Sequence, residues 1–363
     1  MKLQKQYFTT LESFRGIAAI AVVLYHMKDL TILTNNNIVK NGYAFVDLFF
    51  IISGFVIYHN YKDNIISISD GTNFLKRRLK RLIPLHLFTL FLILFKDLSK
   101  YIYLLINPNN FETLGLENNN FKVDFLQSFL PQLFLVNSTP FFHDFSWNGQ
   151  NWSISAEIIS YFLFTILIIL IPSDKKFKNV SISIIIFGFL FFYITYGNFN
   201  ILQDFHYSFI RGFIGFFFGI LIYSIKNIIS IKKNKTVVFS ILEFLVLIIT
   251  LFIIYQLKTL INYYYLSILS FGLTVLIFSC EKGIISKFLK NKFFISIGIW
   301  SYSIYLNHTL INKFCHFLFR KNLKISDSNY IFFELITLVI LIVYSKYTYQ
   351  FIEKRFYKSK YLK

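Results

Sequence analysis

The chain has 363 residues, of which 55% are hydrophobic, 20% aromatic and only 15% charged. Soluble domains carry roughly 25% charged residues, so this chain has too little polar surface for water, and its recurrent long apolar runs mark an integral membrane protein. The formal net charge of +19 does not signal a nucleic-acid partner, because the basic residues gather in short segments between apolar runs, the distribution of the positive-inside rule.

In chain order the apolar runs predict ten spans, near residues 14–33, 43–61, 82–98, 152–172, 178–196, 206–225, 235–255, 262–279, 296–318 and 329–351. The third is the weakest, since its run from Leu82 to Phe95 is short and broken by His86. No internal repeat or Gly/Ser- or Pro-rich linker divides the chain. The expected fold is all-α: a single membrane domain over residues 1–363, built as a bundle of about ten transmembrane helices. Basic residues concentrate in alternate connections: Lys2 and Lys5; Lys62 and the cluster from Lys76 to Arg81; Lys175, Lys176 and Lys178; Lys232, Lys233 and Lys235; Lys282 to Lys292; and the tail from Lys354. That bias predicts both termini on the cytoplasmic side. The connection from about Lys96 to Asn151 is long and holds the amphipathic piece "FKVDFLQSFLPQLFLVN", so a partly ordered cap over the outer face is expected.

The first run, "SFRGIAAIAVVLYHM", opens with Arg15 and closes with His26. Arg15 interrupts it early and no small-residue cleavage site follows His26, so it reads as a retained helix and not a signal peptide. Eleven residues make close to three helical turns, so Arg15 and His26 share a face about 16 Å apart. Arg15 can snorkel at the helix end and His26 can be a polar packing residue, but ionisable groups inside a membrane are functional candidates by default. The second run carries Asp47 near its outer end and the small pair Ser53–Gly54, where another helix can approach closely. Next, "FLKRRLKRLIPLH" sets Arg77 and Arg81 one helical turn apart with Arg78 beside them. Arginine bonds phosphate through a bidentate fork, so this is either a phosphate site or a basic segment on anionic lipid. The fourth run opens "WNGQNWSISAE", with Trp152 and Ser153 at its entry and Glu157 within its apolar part. Arg211 is a further intramembrane charge, and "SYSIYLNH" places Tyr302, Ser303, Tyr305 and His308 in the ninth. Cys280 and Cys315 have neither the number nor the spacing of a disulfide framework or a thiol metal site, and no metal is expected. GxxxxGK[ST], GxSxG, HExxH and HxxxxD are absent, which removes the readings those motifs carry.

In order, Arg15 and His26, "VDLFFIISGF", "FLKRRLKRLIP", "NWSISAE", "SYSIYLNH" and "YQFIEKR" resemble the acyltransferase-3 family of bacterial membrane enzymes over almost the whole chain. The resemblance implies transfer of an acyl group, commonly acetyl, from acyl-CoA to a hydroxyl of a sugar or other acceptor. It matches Arg15 and His26 to the family's hallmark pair, Asp47 to its second-helix Asp and Arg77 and Arg78 to its basic pair. Trp152, Ser153 and Glu157 match its WSxxxE-like motif, and Tyr302, Ser303, Tyr305 and His308 its late motif. Asn151 departs from the His that many members carry, and Arg355 from the usual Pro. Some members add a soluble domain after the membrane part; this chain ends about a dozen residues past its last predicted span, so the stand-alone form is expected.

The expectation is an O-acetyltransferase of the bacterial inner membrane, with acetyl-CoA or another acyl-CoA as co-substrate. Its acceptor would be a cell-surface glycan or a lipid-linked sugar. An alcohol needs a base to take its proton, and histidine titrates in the right range. His26 is that base, oriented by Asp47 or Glu157. Arg15 would hold the donor's phosphate or pantetheine end or face the developing oxyanion. Arg77, Arg78 and Arg81 would grip CoA phosphates, and Trp152, Ser153, Tyr302 and His308 would support the site. Direct attack and an acyl-enzyme are both open, as is the oligomeric state. A glycan-lipid or polyol transporter would also use intramembrane charges; the lack of an internal repeat argues against it.

Overall fold

The computed structural model describes residues 6–27, 34–107, 125–141, 147–202, 204–228, 236–323 and 330–356, which form helices and connections with no strand among them. The main helices are α1 (Thr9–Tyr25), α2 (Phe45–Tyr61), α3 (Ile68–Ile106), α4 (Phe125–Leu133), α5 (Trp152–Leu170), α6 (Asp174–Tyr196) and α7 (Ser208–Ile228). They continue as α8 (Thr236–Tyr255), α9 (Tyr265–Phe278), α10 (Ile284–Leu289), α11 (Lys292–Ile299), α12 (Ser301–His316) and α13 (Tyr330–Thr348).

Among the described residues, seven helices are long and apolar enough to cross a membrane: α2, α3, α5, α6, α7, α8 and α13. The chain is a multi-pass membrane protein. Three of the ten predicted spans fall on shorter pieces. Helix α1 has 17 residues and α9 has 14. The ninth run is split at Trp300 into α11 and α12, so its central turn is a break and not a span interior. The end of the first predicted span, 28–33, and much of the long connection, 108–124 and 142–146, lie outside the described residues.

The third predicted span is the second half of a longer helix. Helix α3 runs 39 residues through Pro84, after a capping box in which Asp70 N donates to Ser67 Oγ (3.2 Å) and Ser67 N to Asp70 Oδ2 (3.1 Å). At about 1.5 Å per residue it is about 58 Å long, nearly twice a hydrocarbon core of about 30 Å. Its basic first turns and its apolar second half therefore occupy different layers.

Helix α2 is central: 72% of its apolar window is buried inside the protein. It meets α7 at backbone distance because both faces carry glycine. A Cβ on Gly54 would stand 1.8 Å from the Phe216 carbonyl oxygen, and one on Gly219 2.0 Å from that of Ile51. Helices α6 and α8 are peripheral, with 22% and 28% of their windows buried, and they turn Phe187, Ile194 and Val237 outward. In water such a face would associate; in a bilayer it is the lipid contact. Helix α1 is pinned at its start, where Thr9 Oγ1 (2.8 Å) and Thr10 N (3.0 Å) donate to Glu281 Oε1, and Ser13 Oγ donates to the Leu289 carbonyl (2.7 Å). Those bonds fix where Arg15 sits.

Candidate active site

A cavity of about 1020 Å³, counting its open mouth, lies between α1, α2, α3, α5 and α12. Its mouth is lined by Arg15, Arg78, Arg81 and Asn60, and its inner end by Val46, Ser153 and Tyr305. Asn60 and Val46 are fourteen residues apart on α2, so the cavity follows that helix for about 21 Å. Arg78 and Arg81, one turn apart on α3, face inward. Arg77 is exposed beside the Tyr61 ring (5.7 Å) and does not line the cavity. The expected face of Arg77 and Arg81 is replaced by that of Arg78 and Arg81: Arg78 lies against Phe74 and Tyr161, and Arg81 beside Glu353.

Arg78 sits 5.2 Å from the Tyr61 ring centroid, 5.6 Å from Phe74 and 5.9 Å from Tyr161. Its Nε is buried without a hydrogen-bond partner, and no carboxylate pairs with it among the described residues. It is a cation held by aromatic faces, with donors left for a ligand. Arg15 pairs with Glu12 (3.2 Å). Arg81 Nε lies 3.6 Å from Oε1 of Glu353, which is 1% exposed and also accepts from Ser303 Oγ (3.1 Å). Glu353 ends a π-helical turn, Tyr349–Glu353, a local geometry frequent at functional sites. Its role was missed in the sequence, although an acid just after the last apolar run, in "YQFIEKR", was the available signal. Glu157 lines the cavity and accepts from Ser53 Oγ (2.7 Å) and Tyr161 Oη.

At the inner end, Ser153 Oγ donates to Tyr305 Oη (2.8 Å), which donates to the Gln150 carbonyl (3.1 Å). Behind this layer stand two histidines outside the cavity lining. The rings of Tyr305 and His308 are 5.6 Å apart, and those of His308 and His26 are 4.8 Å apart. His26 Nδ1 contacts the Val22 carbonyl (2.9 Å) and His308 Nδ1 the Tyr305 carbonyl. A carbonyl only accepts, so both neutral rings carry their proton on Nδ1 and leave Nε2 with a lone pair. His308 is fully buried, and its Nε2 has no partner among the described residues.

The carboxylates expected to orient His26 are engaged elsewhere. Asp47, 0% exposed, accepts from Arg211 Nε (2.7 Å), Arg211 Nη2 (3.1 Å) and Tyr264 Oη (2.6 Å). Arg211 lies 5.1 Å from the Trp152 ring centroid. Trp152 therefore supports this ion pair and does not line the cavity. Two opposite charges in a dry interior pair with each other before either serves a neutral ring. Glu157 is held by Ser53 and Tyr161, so the Val22 carbonyl, and neither acid, sets the His26 tautomer. Tyr302 lines the cavity and donates to the Leu82 carbonyl (2.6 Å), which ties α12 to α3.

The chain is thus a multi-helix membrane protein with an arginine-mouthed cavity and a histidine pair behind its inner end, of which His308 is buried and His26 exposed. The family follows from comparison. The model of the family described as an acyltransferase domain, Acyl_transf_3, matches residues 8–348, and the chain belongs to that family. Two proteins of Staphylococcus aureus named "Putative O-acetyltransferase", SACOL0978 of strain COL and SAR0937 of strain MRSA252, are each 25% identical over 388 aligned positions. The alignment covers 98% of this chain and 58% of theirs. "O-acetyltransferase OatA" of S. aureus strain NCTC 8325 is 35% identical over 94 residues, 24% of this chain and 14% of that protein. The chain thus spans under two thirds of the length of the first relatives it matches. No solved structure matches.

Proposed function

We propose that this chain moves an acetyl or other short acyl group from acyl-CoA to a hydroxyl of a cell-surface polysaccharide or its lipid-linked precursor, in the bacterial inner membrane. The observation that carries the reading is the cavity that joins Arg15, Arg78 and Arg81 to the Ser153–Tyr305 layer in front of the two histidines. Arginines at the mouth suit the phosphates of CoA, and a narrow path of about 21 Å suits its pantetheine arm. With the donor seated from that end, the thioester arrives near Tyr305. His26 Nε2 takes the proton of the acceptor hydroxyl as its oxygen attacks the thioester carbon. The C–S bond then breaks, and CoA leaves as the thiol with that proton. Direct transfer needs no covalent enzyme intermediate, and this is the simpler route for a site whose base faces the acceptor. On this reading the arginine mouth faces the cytoplasm, where the basic segments of the chain also lie.

The test compares surface glycans by mass spectrometry from source cells with the intact chain, without it, and with His26→Ala at matched protein levels. The expected result is an alkali-labile acetyl mass with the intact chain alone. Loss of the entire glycan on deletion, restored in full by His26→Ala, would instead mean export and overturn the acyl-transfer reading.

A further inference from the structure

A cluster of buried polar side chains lies beyond the cavity lining. Among the described residues, Gln132, Asn137, Asn148, Gln150 and Asn151 are buried, between 0% and 8% exposed. Seven of their side-chain atoms have no hydrogen-bond partner: Nε2 of Gln132 and Gln150, Nδ2 of Asn137, and the carbonyl oxygens of Gln132, Asn137, Asn148 and Asn151. Buried amides are ordinarily satisfied, and each orphan is costly. Their concentration in one stretch of chain is therefore a property to be explained.

The five belong to one structure. Asn151 Nδ2 donates to His86 Nδ1 (3.0 Å), and Asn148 Nδ2 reaches Thr89 Oγ1 (3.4 Å), one turn along α3. Trp147 Nε1 donates to Ser128 Oγ (3.0 Å), one turn before Gln132 on α4, and Ser138, next to Asn137, bonds Ser155 on α5 (2.8 Å). The backbone takes left-handed values at two positions within this stretch, Leu135 with φ 55° and Trp147 with φ 64°, values that bulky residues rarely adopt. None of the five amides lines the arginine cavity. The cavity and this cluster meet at the Gln150 carbonyl, which accepts from Tyr305, and His308 follows Tyr305 by one turn.

We infer that this amide wall is the acceptor subsite and that its ligand is a neutral polyhydroxylated chain, a glycan segment entering from the side opposite the arginines. Three free NH₂ groups and four free carbonyl oxygens are a mixed set. A sugar hydroxyl both donates and accepts and so satisfies either kind. A phosphate or carboxylate only accepts, and it would meet four carbonyl oxygens with no cation among the five residues. The donor's anionic handle and the acceptor's neutral one are thus sorted to opposite ends before they meet at the histidines. The inference rests on the proposed acyl transfer and adds where the acceptor lies.

The test uses Gln132→Met and Asn137→Leu, at the two amides with both polar atoms unpaired. Apolar replacement of similar size removes orphaned groups, so a purely structural wall becomes no less stable. The full-length variants are read three ways: melting in detergent, binding of radiolabelled acetyl-CoA in membranes, and alkali-labile acetate on surface glycans of source cells. The expected result is unchanged or raised melting and acetyl-CoA binding within about twofold, with glycan acetate down about tenfold. Asn148→Asp, which puts an anion in the wall, should lower acetate further at equal donor binding. Unchanged acetate in both apolar variants overturns the subsite, and so does donor binding that falls in step with acetate. If the intact chain itself adds no acetate, the acyl-transfer reading fails and the subsite falls with it; that outcome is visible in the intact chain alone.

Discussion

Replacing Arg211 with methionine strips Asp47 of two of its three hydrogen bonds and leaves only the one from Tyr264. Hydrogen bonds to a charged group contribute about 1.5–3 kcal/mol each, so two lost bonds amount to roughly 3–6 kcal/mol, in line with about 3–5 kcal/mol for removing one partner of a buried pair. Loss of the guanidinium from above Trp152 adds to this. Asp47→Asn leaves the reverse problem, an uncompensated Arg211 that is 3% exposed. The double variant Asp47→Leu, Arg211→Met removes both charges and should recover most of the loss, because apolar replacement of a whole buried pair is often near neutral. The assay is denaturant unfolding of the purified chain in detergent as a double-mutant cycle. A coupling energy of about 3 kcal/mol is expected. Single losses below about 1 kcal/mol, or a double loss equal to their sum, would refute the pair as one unit. Asp47→Asn with full stability and no acyl transfer would refute the separation of Asp47 from the chemistry.

Three further outcomes are expected. Arg78→Met should raise the KM for acetyl-CoA about tenfold or more by removing a charged phosphate contact, whereas Arg77→Ala, at an exposed position outside the cavity, should change it less than about twofold; steady-state kinetics in proteoliposomes separates them. His26→Asn should abolish transfer while acetyl-CoA binding persists. In the intact chain the rate should fall as pH drops, because a protonated ring accepts no proton; a rate independent of pH in the intact chain, or transfer persisting in His26→Asn, would contradict the assignment. Gly54→Ala should unfold at lower denaturant, by about 1–3 kcal/mol or more, since its Cβ would stand 1.8 Å from a backbone oxygen that cannot rotate away; a melting point unchanged from the intact chain would contradict the α2–α7 contact.

The helical, membrane-embedded character was legible because hydropathy is a sum over many residues and survives local error. Seven long apolar helices stand where runs were predicted. Helix ends were less legible. The chain reads as polar at "FLKRRLKR", yet α3 passes straight through it, because arginine and lysine are good helix formers and a basic segment needs no break at a membrane surface. The reverse holds at Trp300, where an apolar run conceals a break, close to a backbone contact from elsewhere. A Cβ on Gly298 would stand 2.0 Å from the Glu12 carbonyl, so α1 presses on the chain two residues before the break. Hydropathy cannot register a contact between segments nearly 290 residues apart.

The site divides along the same line. Periodicity says which side chains share a face of one helix, and it set Arg15 and His26 on a common stripe. It does not say who faces them. Asp47 could have met His26, Arg211 or neither, and a buried charge announces only that some partner exists. The pairing is decided by energy once the helices pack. An ion pair removed from water must be matched by an opposite charge, while a neutral imidazole needs one acceptor for its N–H and finds it four residues back on its own helix, at Val22. Asp47 therefore goes to Arg211, across 164 residues, and the histidines are left to be oriented by backbone. A backbone carbonyl fixes the tautomer without adding a charge, and among the described residues neither ring is bonded to a carboxylate. A base that must take a proton from an alcohol and give it up in each cycle works best without a carboxylate that stabilises its protonated form. The acid that the sequence offered as a helper for His26 is placed where it ties helices α2 and α7 to Tyr264, the cap of α9, instead.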